Sequence, residues 1–181
     1  MHLTDPQQLL AQSELIYSSE AVATEIVRLS KEITRTLEHS RPVVICVMGG
    51  GVVFAGQLLT QLLFPLELDH VHASRYQNAT VGKTLSWKSL PKLDLSGRTV
   101  LLVDDILDEG ITLKEIQDKC LALGALKVFS AVLIEKKLGH AKPIEADFVG
   151  LEVPNCYVFG YGMDVYGWWR NLPAIYALNL E

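Results

Sequence analysis

A chain of 181 residues, 49% hydrophobic and 20% charged, has the size and make-up of one globular domain that can bury its own core. Its formal net charge of −5 argues against a general nucleic-acid binder, which carries a basic surplus. Cys46, Cys120 and Cys156 lack CxxC spacing and are expected to be free thiols; no apolar run approaches the ~20 residues that span a bilayer, and residues 1–6 carry no leader pattern, so a cytoplasmic location without a membrane partner is expected.

Val22, Ile26, Leu29, Ile33 and Leu37 recur at steps of three and four, which predicts an amphipathic helix with Ser18 or Ser19 as its cap and Arg41-Pro42 as its stop. Residues 43–48 form a continuous apolar run and read as a strand buried on both faces. Gly49-Gly50-Gly51 is a turn, residues 52–63 a helix ended by Pro65, and residues 66–74 an alternating strand. Residues 75–89 are polar and predict a mobile surface loop with two short strands at its base. A second buried strand over 98–103 leads into an acidic loop over 104–112, then a helix over 113–123 closed by Gly124 and a third buried strand over 127–134. Apolar strands alternating with helices place the centre, about residues 40–145, in the α/β class with a parallel sheet. From about residue 146 the chain is strand-like and rich in turns, with Gly150, Pro154, Gly160, Gly162 and Gly167, which predicts a small appended lobe.

The most informative stretch is Val100-Leu101-Leu102-Val103-Asp104-Asp105-Ile106-Leu107-Asp108-Glu109-Gly110-Ile111-Thr112-Leu113. In open α/β sheets ligands bind beyond the carboxyl ends of parallel strands, where this segment lies. The amides of residues 108–112, with a helix dipole behind them, suit a phosphate; Gly110 allows close backbone approach and Thr112 adds a hydroxyl. Asp104 and Asp105 beside a phosphate make sense if they hold ribose hydroxyls or Mg²⁺, which takes oxygen ligands and keeps several waters. The rival reading is an acidic surface loop or a response-regulator-like acidic pocket.

An apolar strand, two acidic residues, two apolar residues, Asp, a hydroxyl residue, Gly, any residue and Thr is the phosphoribosyl pyrophosphate signature that this stretch resembles, with Glu109 replacing the hydroxyl residue. The signature belongs to the type I phosphoribosyltransferases, and the resemblance extends over most of the chain, narrowing to the hypoxanthine–guanine branch. It implies a type I phosphoribosyltransferase fold: a central parallel sheet flanked by helices, under a hood made by the C-terminal part and the N-terminal segment. Phosphoribosyl pyrophosphate would then be held by Asp104, Asp105, Asp108, Glu109, Gly110, Ile111 and Thr112, by Gly49 and Gly50 in the pyrophosphate loop, and by Arg170. Asp108 would be the general base or a partner of the purine N7. Ser74-Arg75-Tyr76 would open the flexible catalytic loop, with Arg75 intervening between Ser and Tyr.

The same resemblance assigns Lys136, with Lys137 as competitor, to the exocyclic oxygen of a 6-oxopurine. Tyr157 would stack on the base, main-chain groups of Val158 would read its edge, and Asp164 would bind Mg²⁺ or its water near the base. Asp104, Asp105 and Asp164 are thus the implied metal residues, and Mg²⁺ the implied cofactor. Trp168-Trp169 has no counterpart and is expected to serve packing or a subunit contact. The implied activity is purine salvage: hypoxanthine or guanine plus phosphoribosyl pyrophosphate giving IMP or GMP and pyrophosphate, by a homodimer or homotetramer with no nucleic-acid partner. A xanthine-preferring transferase and a nucleotide-sensing regulatory protein are the alternatives.

Overall fold

The computed structural model of the chain describes residues 5–75 and 85–178. Tyr76 and the polar segment through residue 84 lie outside the described residues. The chain opens with α1 (Pro6–Ala11), where the Asp5 carboxylate accepts the Gln7 amide, and β1 (Glu14–Tyr17). Then comes α2 (Ser19–Leu37), capped by the Ser18 hydroxyl, which accepts the Ala21 amide. Its predicted stripe of Val22, Ile26, Leu29, Ile33 and Leu37 is buried in full. The elements that follow are β2 (Val43–Met48), α3 (Gly51–Leu59), β3 (Glu67–Arg75), β4 (Leu85–Ser89), β5 (Thr99–Leu107), α4 (Ile111–Ala122), β6 (Lys127–Lys137), β7 (Phe148–Pro154), β8 (Val158–Phe159) and β9 (Ile175–Ala177).

Six strands form one sheet in the order β4-β3-β2-β5-β6-β7, parallel throughout except for β4. One face carries the core shared with α2 and α3, including Ile33, Phe54, Leu101 and Leu133. The other carries the α4 core, including Leu102, Ile116 and Val132. Strands β2, β5 and β6 are therefore covered on both faces, as their unbroken apolar runs predicted.

Several boundaries differ from the sequence reading. Helix α3 ends at Leu59, well before Pro65, because the Gln61 and Leu62 amides bond three residues back, to Leu58 and Leu59, and tighten the chain out of the helix. Strand β5 runs on through Asp104 to Leu107, because its ladder with β6 continues through Asp104–Val132, Ile106–Ile134 and Leu107–Glu135. The acidic loop thus shrinks to residues 108–110. Strand β3 runs one residue further than expected, to Arg75, which pairs with Leu85 of β4; the flexible-loop reading continues into residues outside the described ones. Strand β7 is the edge strand of the large sheet, beside β6, and not part of the appended lobe.

That lobe is a three-stranded sheet, β1-β9-β8, which brings the two ends of the chain together. Beneath it Leu9, Phe159 and Val165 make a small separate core. Trp169 packs there and donates its indole N–H to the Pro6 carbonyl at 2.7 Å, while Trp168 stays exposed. Cys46 and Cys120 are buried free thiols, and Cys156 is a half-buried one. Among the described residues no helix is long and apolar enough to cross a membrane.

Candidate active site

Because β2 and β5 are adjacent and parallel, the turns leaving their carboxyl ends meet. The β2 turn begins with a cis peptide between Met48 and Gly49. A β-carbon on Gly50 would stand 1.5 Å from Asp105 Oδ2 and 3.1 Å from the Gly162 carbonyl; one on Gly51 would stand 3.0 Å from the Val103 carbonyl. The turn therefore lies directly on the Asp104-Asp105 pair, and at Gly50 the Asp105 carboxylate leaves room for nothing larger than hydrogen.

Asp104 Oδ1 accepts the Asp105 amide at 2.9 Å, and Asp105 Oδ1 accepts the Ile106 amide at 2.9 Å. Burial, with the neighbouring Asp105 charge added, lifts the Asp104 carboxyl well above the ordinary range. Burial also raises Asp105, against the hydrogen bonds and the Arg170 charge that lower it. Two desolvated carboxyls with few protein donors favour a partner that supplies positive charge or hydroxyl donors. No group of three or more His, Cys, Asp or Glu among the described residues is arranged to hold a metal. Asp164, the third implied metal residue, is otherwise engaged: its carboxylate meets Arg170 Nη2 at 2.5 Å and accepts the Gly167 amide at 2.7 Å. The donor set fits a Mg²⁺ ion that takes most of its oxygens from substrate and water.

Past Leu107 the chain turns through Asp108 and Glu109 to Gly110, which sits at φ +78° as the N-cap of α4. The positive end of that helix, Ile111 and Thr112, thus begins three residues after Asp108. The Glu109 carboxylate lies 3.4 Å from His140 Nε2 on the loop between β6 and β7, so the departure from the signature places its charge on a neighbouring loop. Asp108 Oδ1 is 3.2 Å from Lys136 Nζ, whose side chain is only 12% exposed. Lys137, on the opposite face of the strand, pairs with Glu135 and Glu152 at 2.8 Å each. Alternation along β6 thus turns Lys136, not Lys137, toward the strand-end cavity.

The hood closes this cavity. Asp105, Ile106, Asp108 and Lys136 from the sheet face Tyr157, Val158, Met163, Asp164 and Arg170 across a space of about 220 Å³. The Tyr157 hydroxyl donates to the Asp164 carbonyl at 3.0 Å, which leaves the ring as one wall. Arg170 Nη1 donates to the Gly162 carbonyl at 2.7 Å. Gly162 itself, at φ +105°, leans on the β2 turn so closely that a β-carbon would stand 2.1 Å from the Gly50 carbonyl. A larger apolar cavity of about 590 Å³ lies on the far side of the glycine turn, lined by Met48, Val52, Leu59 and Leu68 among others; it holds none of the clustered carboxylates Asp104, Asp105 and Asp108.

The structure thus gathers Asp105, Asp108, Lys136, Tyr157, Val158, Asp164 and Arg170 around one space, with Gly50 and Asp104 directly behind Asp105. Two contributors escaped the sequence reading. Gly162 stood out there only as one of several glycines in a turn-rich stretch. Lys142, whose ammonium sits between the ends of β5 and β6, carried no signal at all.

A family model described as the phosphoribosyl transferase domain matches residues 12–166. The hypoxanthine-guanine phosphoribosyltransferase of Bacillus subtilis (strain 168) is 34% identical over 168 residues, covering 92% of this chain and 93% of that protein. The hypoxanthine-guanine-xanthine phosphoribosyltransferase of Tritrichomonas foetus is 32% identical over 166 residues, covering 91% of each. Among solved structures, a hypoxanthine-guanine-xanthine phosphoribosyltransferase superposes with a TM-score of 0.84 at 32% identity, over 92% of this chain and 97% of that one. A hypoxanthine phosphoribosyltransferase from Staphylococcus aureus, at 23% identity, shares the fold with a TM-score of 0.88 over 98% of this chain and 97% of that one.

Proposed function

The chain belongs to the phosphoribosyltransferase family, and from that premise we propose how its strand-end cavity performs purine salvage, joining hypoxanthine or guanine to phosphoribosyl pyrophosphate to give IMP or GMP and pyrophosphate. The observation that carries this reading is the single cavity in which Asp105 and Asp108 face Lys136, Tyr157 and Arg170. The bond from C1 of the ribose to the pyrophosphate oxygen breaks, and a bond from C1 to the purine nitrogen forms. Mg²⁺, when bound, neutralises the departing pyrophosphate.

The protein's part is to place and to exclude. Asp104 and Asp105 accept the ribose hydroxyls and hold the metal's water shell. The start of α4 and the backbone from Asp108 to Thr112 receive the 5′-phosphate. The glycine turn offers its backbone to pyrophosphate, and Arg170 lies at the adjoining wall. Tyr157 stacks on the purine and Lys136 donates to its exocyclic oxygen. An amino group there would set donor against donor, which selects oxo over amino purines. Asp108, 3.2 Å from Lys136, takes up the base proton or holds N7.

The second reading is a xanthine-preferring transferase, which gains support from the similar Tritrichomonas foetus protein, whose name includes xanthine. The whole chain acts as one domain in the cytoplasm. A homodimer is the assembly we favour, because the apolar cavity beside α3 leaves Val52 and Leu68 46% and 56% exposed. The test is a panel of hypoxanthine, guanine, xanthine and adenine with Mg²⁺ and phosphoribosyl pyrophosphate, followed by ultraviolet absorbance. Turnover of hypoxanthine or guanine is expected. Turnover of xanthine alone favours the second reading, and no turnover with any base favours a nucleotide sensor on the same fold.

A further inference from the structure

The ladder between β5 and β6 ends at the pair Leu107–Glu135. One residue later β5 turns away into Asp108, while β6 continues to Lys136 and Lys137 beside β7 alone. The two strands separate at the place where the site needs Asp108 and Lys136 to face each other. Lys142, from the loop between β6 and β7, fills the gap. Its Nζ donates to the Leu107 carbonyl at 2.9 Å and the Lys136 carbonyl at 2.6 Å, and lies 3.5 Å from Glu135 Oε1. Its side chain is only 7% exposed, and a buried ammonium is stable only where its donors are met.

The same loop also touches Glu109 and Gly110 in the turn. His140 meets Glu109, and Ile144 and Pro143 stand 3.1 and 3.4 Å from where a β-carbon on Gly110 would be. We propose that Lys142 is a positioning residue: by bridging the carbonyls of Leu107 and Lys136 it replaces the ladder bond lost where β5 leaves β6, and so sets the distance between Asp108 and Lys136 across the base. It touches neither side chain and acts through the backbone of both. The kinetic half of this inference rests on the salvage reading above; the structural half does not.

The test compares Lys142→Met, Lys142→Gln and Lys142→Arg with the wild type. Hydrogen exchange is read at the amides of Asp108, Lys136 and Lys137, and kcat and KM are read for base and for phosphoribosyl pyrophosphate far below the melting temperature. Lys142→Met is expected to speed exchange at those amides by about tenfold, leave β2 unchanged, and lower kcat/KM for the base by about tenfold or more. Lys142→Arg, with the neighbouring cavity of about 450 Å³ to take its bulk, recovers most of both losses. If Lys142→Met does not fold, Lys142→Gln carries the comparison, with a smaller loss in the same direction. Wild-type exchange and wild-type kcat/KM in the folded variant overturn the proposal, as does an Arg variant no better than Met. A wild type that turns over no base overturns the salvage reading instead, and the exchange measurement still decides whether Lys142 holds the two strand ends.

Discussion

The two walls of the cavity are fixed by different means. On the sheet side position is set by glycines packed hard against their neighbours: Gly50 against the Asp105 carboxylate and Gly51 against the Val103 carbonyl. On the hood side it is set by side chains holding one another: Arg170 on Asp164 and on the Gly162 carbonyl, and Tyr157 on the Asp164 carbonyl. The first kind of wall leaves no space for a β-carbon at Gly50, while the second can lose a contact and still stand. A ligand with an invariant phosphorylated sugar and a variable flat base calls for that division.

Mutation can break the contrast, and the largest effect belongs to the rigid wall. Gly50→Ala forces its methyl into the Asp105 carboxylate and is expected to cut kcat/KM by about a hundredfold or more, the usual consequence of displacing a reacting group by an ångström. Steady-state kinetics beside a thermal melt separate this from unfolding. Asp108→Asn keeps the shape of the turn and removes the proton acceptor; turnover should fall by about 10²-fold, while calorimetry finds IMP or GMP binding largely unchanged. Lys136→Met should lower kcat/KM for hypoxanthine by about 10–100-fold with a smaller change for adenine, which a side-by-side base panel reads out.

The hood should be softer. Tyr157→Leu gives up stacking worth ~1–3 kcal/mol and should raise KM for the base about tenfold with little change in kcat. The smallest effect concerns stability and pH. The folded Asp104 carboxyl is raised above its unfolded value, so the stability it brings is complete below about pH 4 and is lost as pH rises through that higher value. Asp104→Asn should therefore raise Tm by about 2–4 °C near pH 7.5 and by almost nothing at pH 4, as scanning calorimetry at the two pH values would show.

Local features were legible in the sequence wherever one residue type had one physical job. The α2 stripe, a serine cap at Ser18 or Ser19, the buried runs of β2, β5 and β6, and the close approach at Gly110 follow from period, polarity and backbone freedom alone. The strand ends were not, because Asp104 and Asp105 look like loop residues until β6 supplies the ladder that keeps them extended. The membership of β7 in the large sheet was hidden for the same reason: its ladder with β6, the strand just before it in the chain, decides it, and turn-rich composition does not show that ladder. Within the site, Lys136 had Lys137 as a competitor on paper, and the two became distinct only once β6 had a register. Lys142 was invisible because its role lies in two carbonyls, which every residue possesses.

The antiparallel pair β1–β9 has a mechanical consequence. Its first rung joins Glu14 to Ala177, so the segments before β1 and after β9 leave from the same side of the ladder. A pull applied at those ends would load the rungs one at a time, as a zipper is opened, and not all together in shear. The β1–β9–β8 sheet would peel away while β4-β3-β2-β5-β6-β7 remained intact, so Tyr157 and Arg170 would lose their anchorage before Asp104 and Asp105 felt any tension.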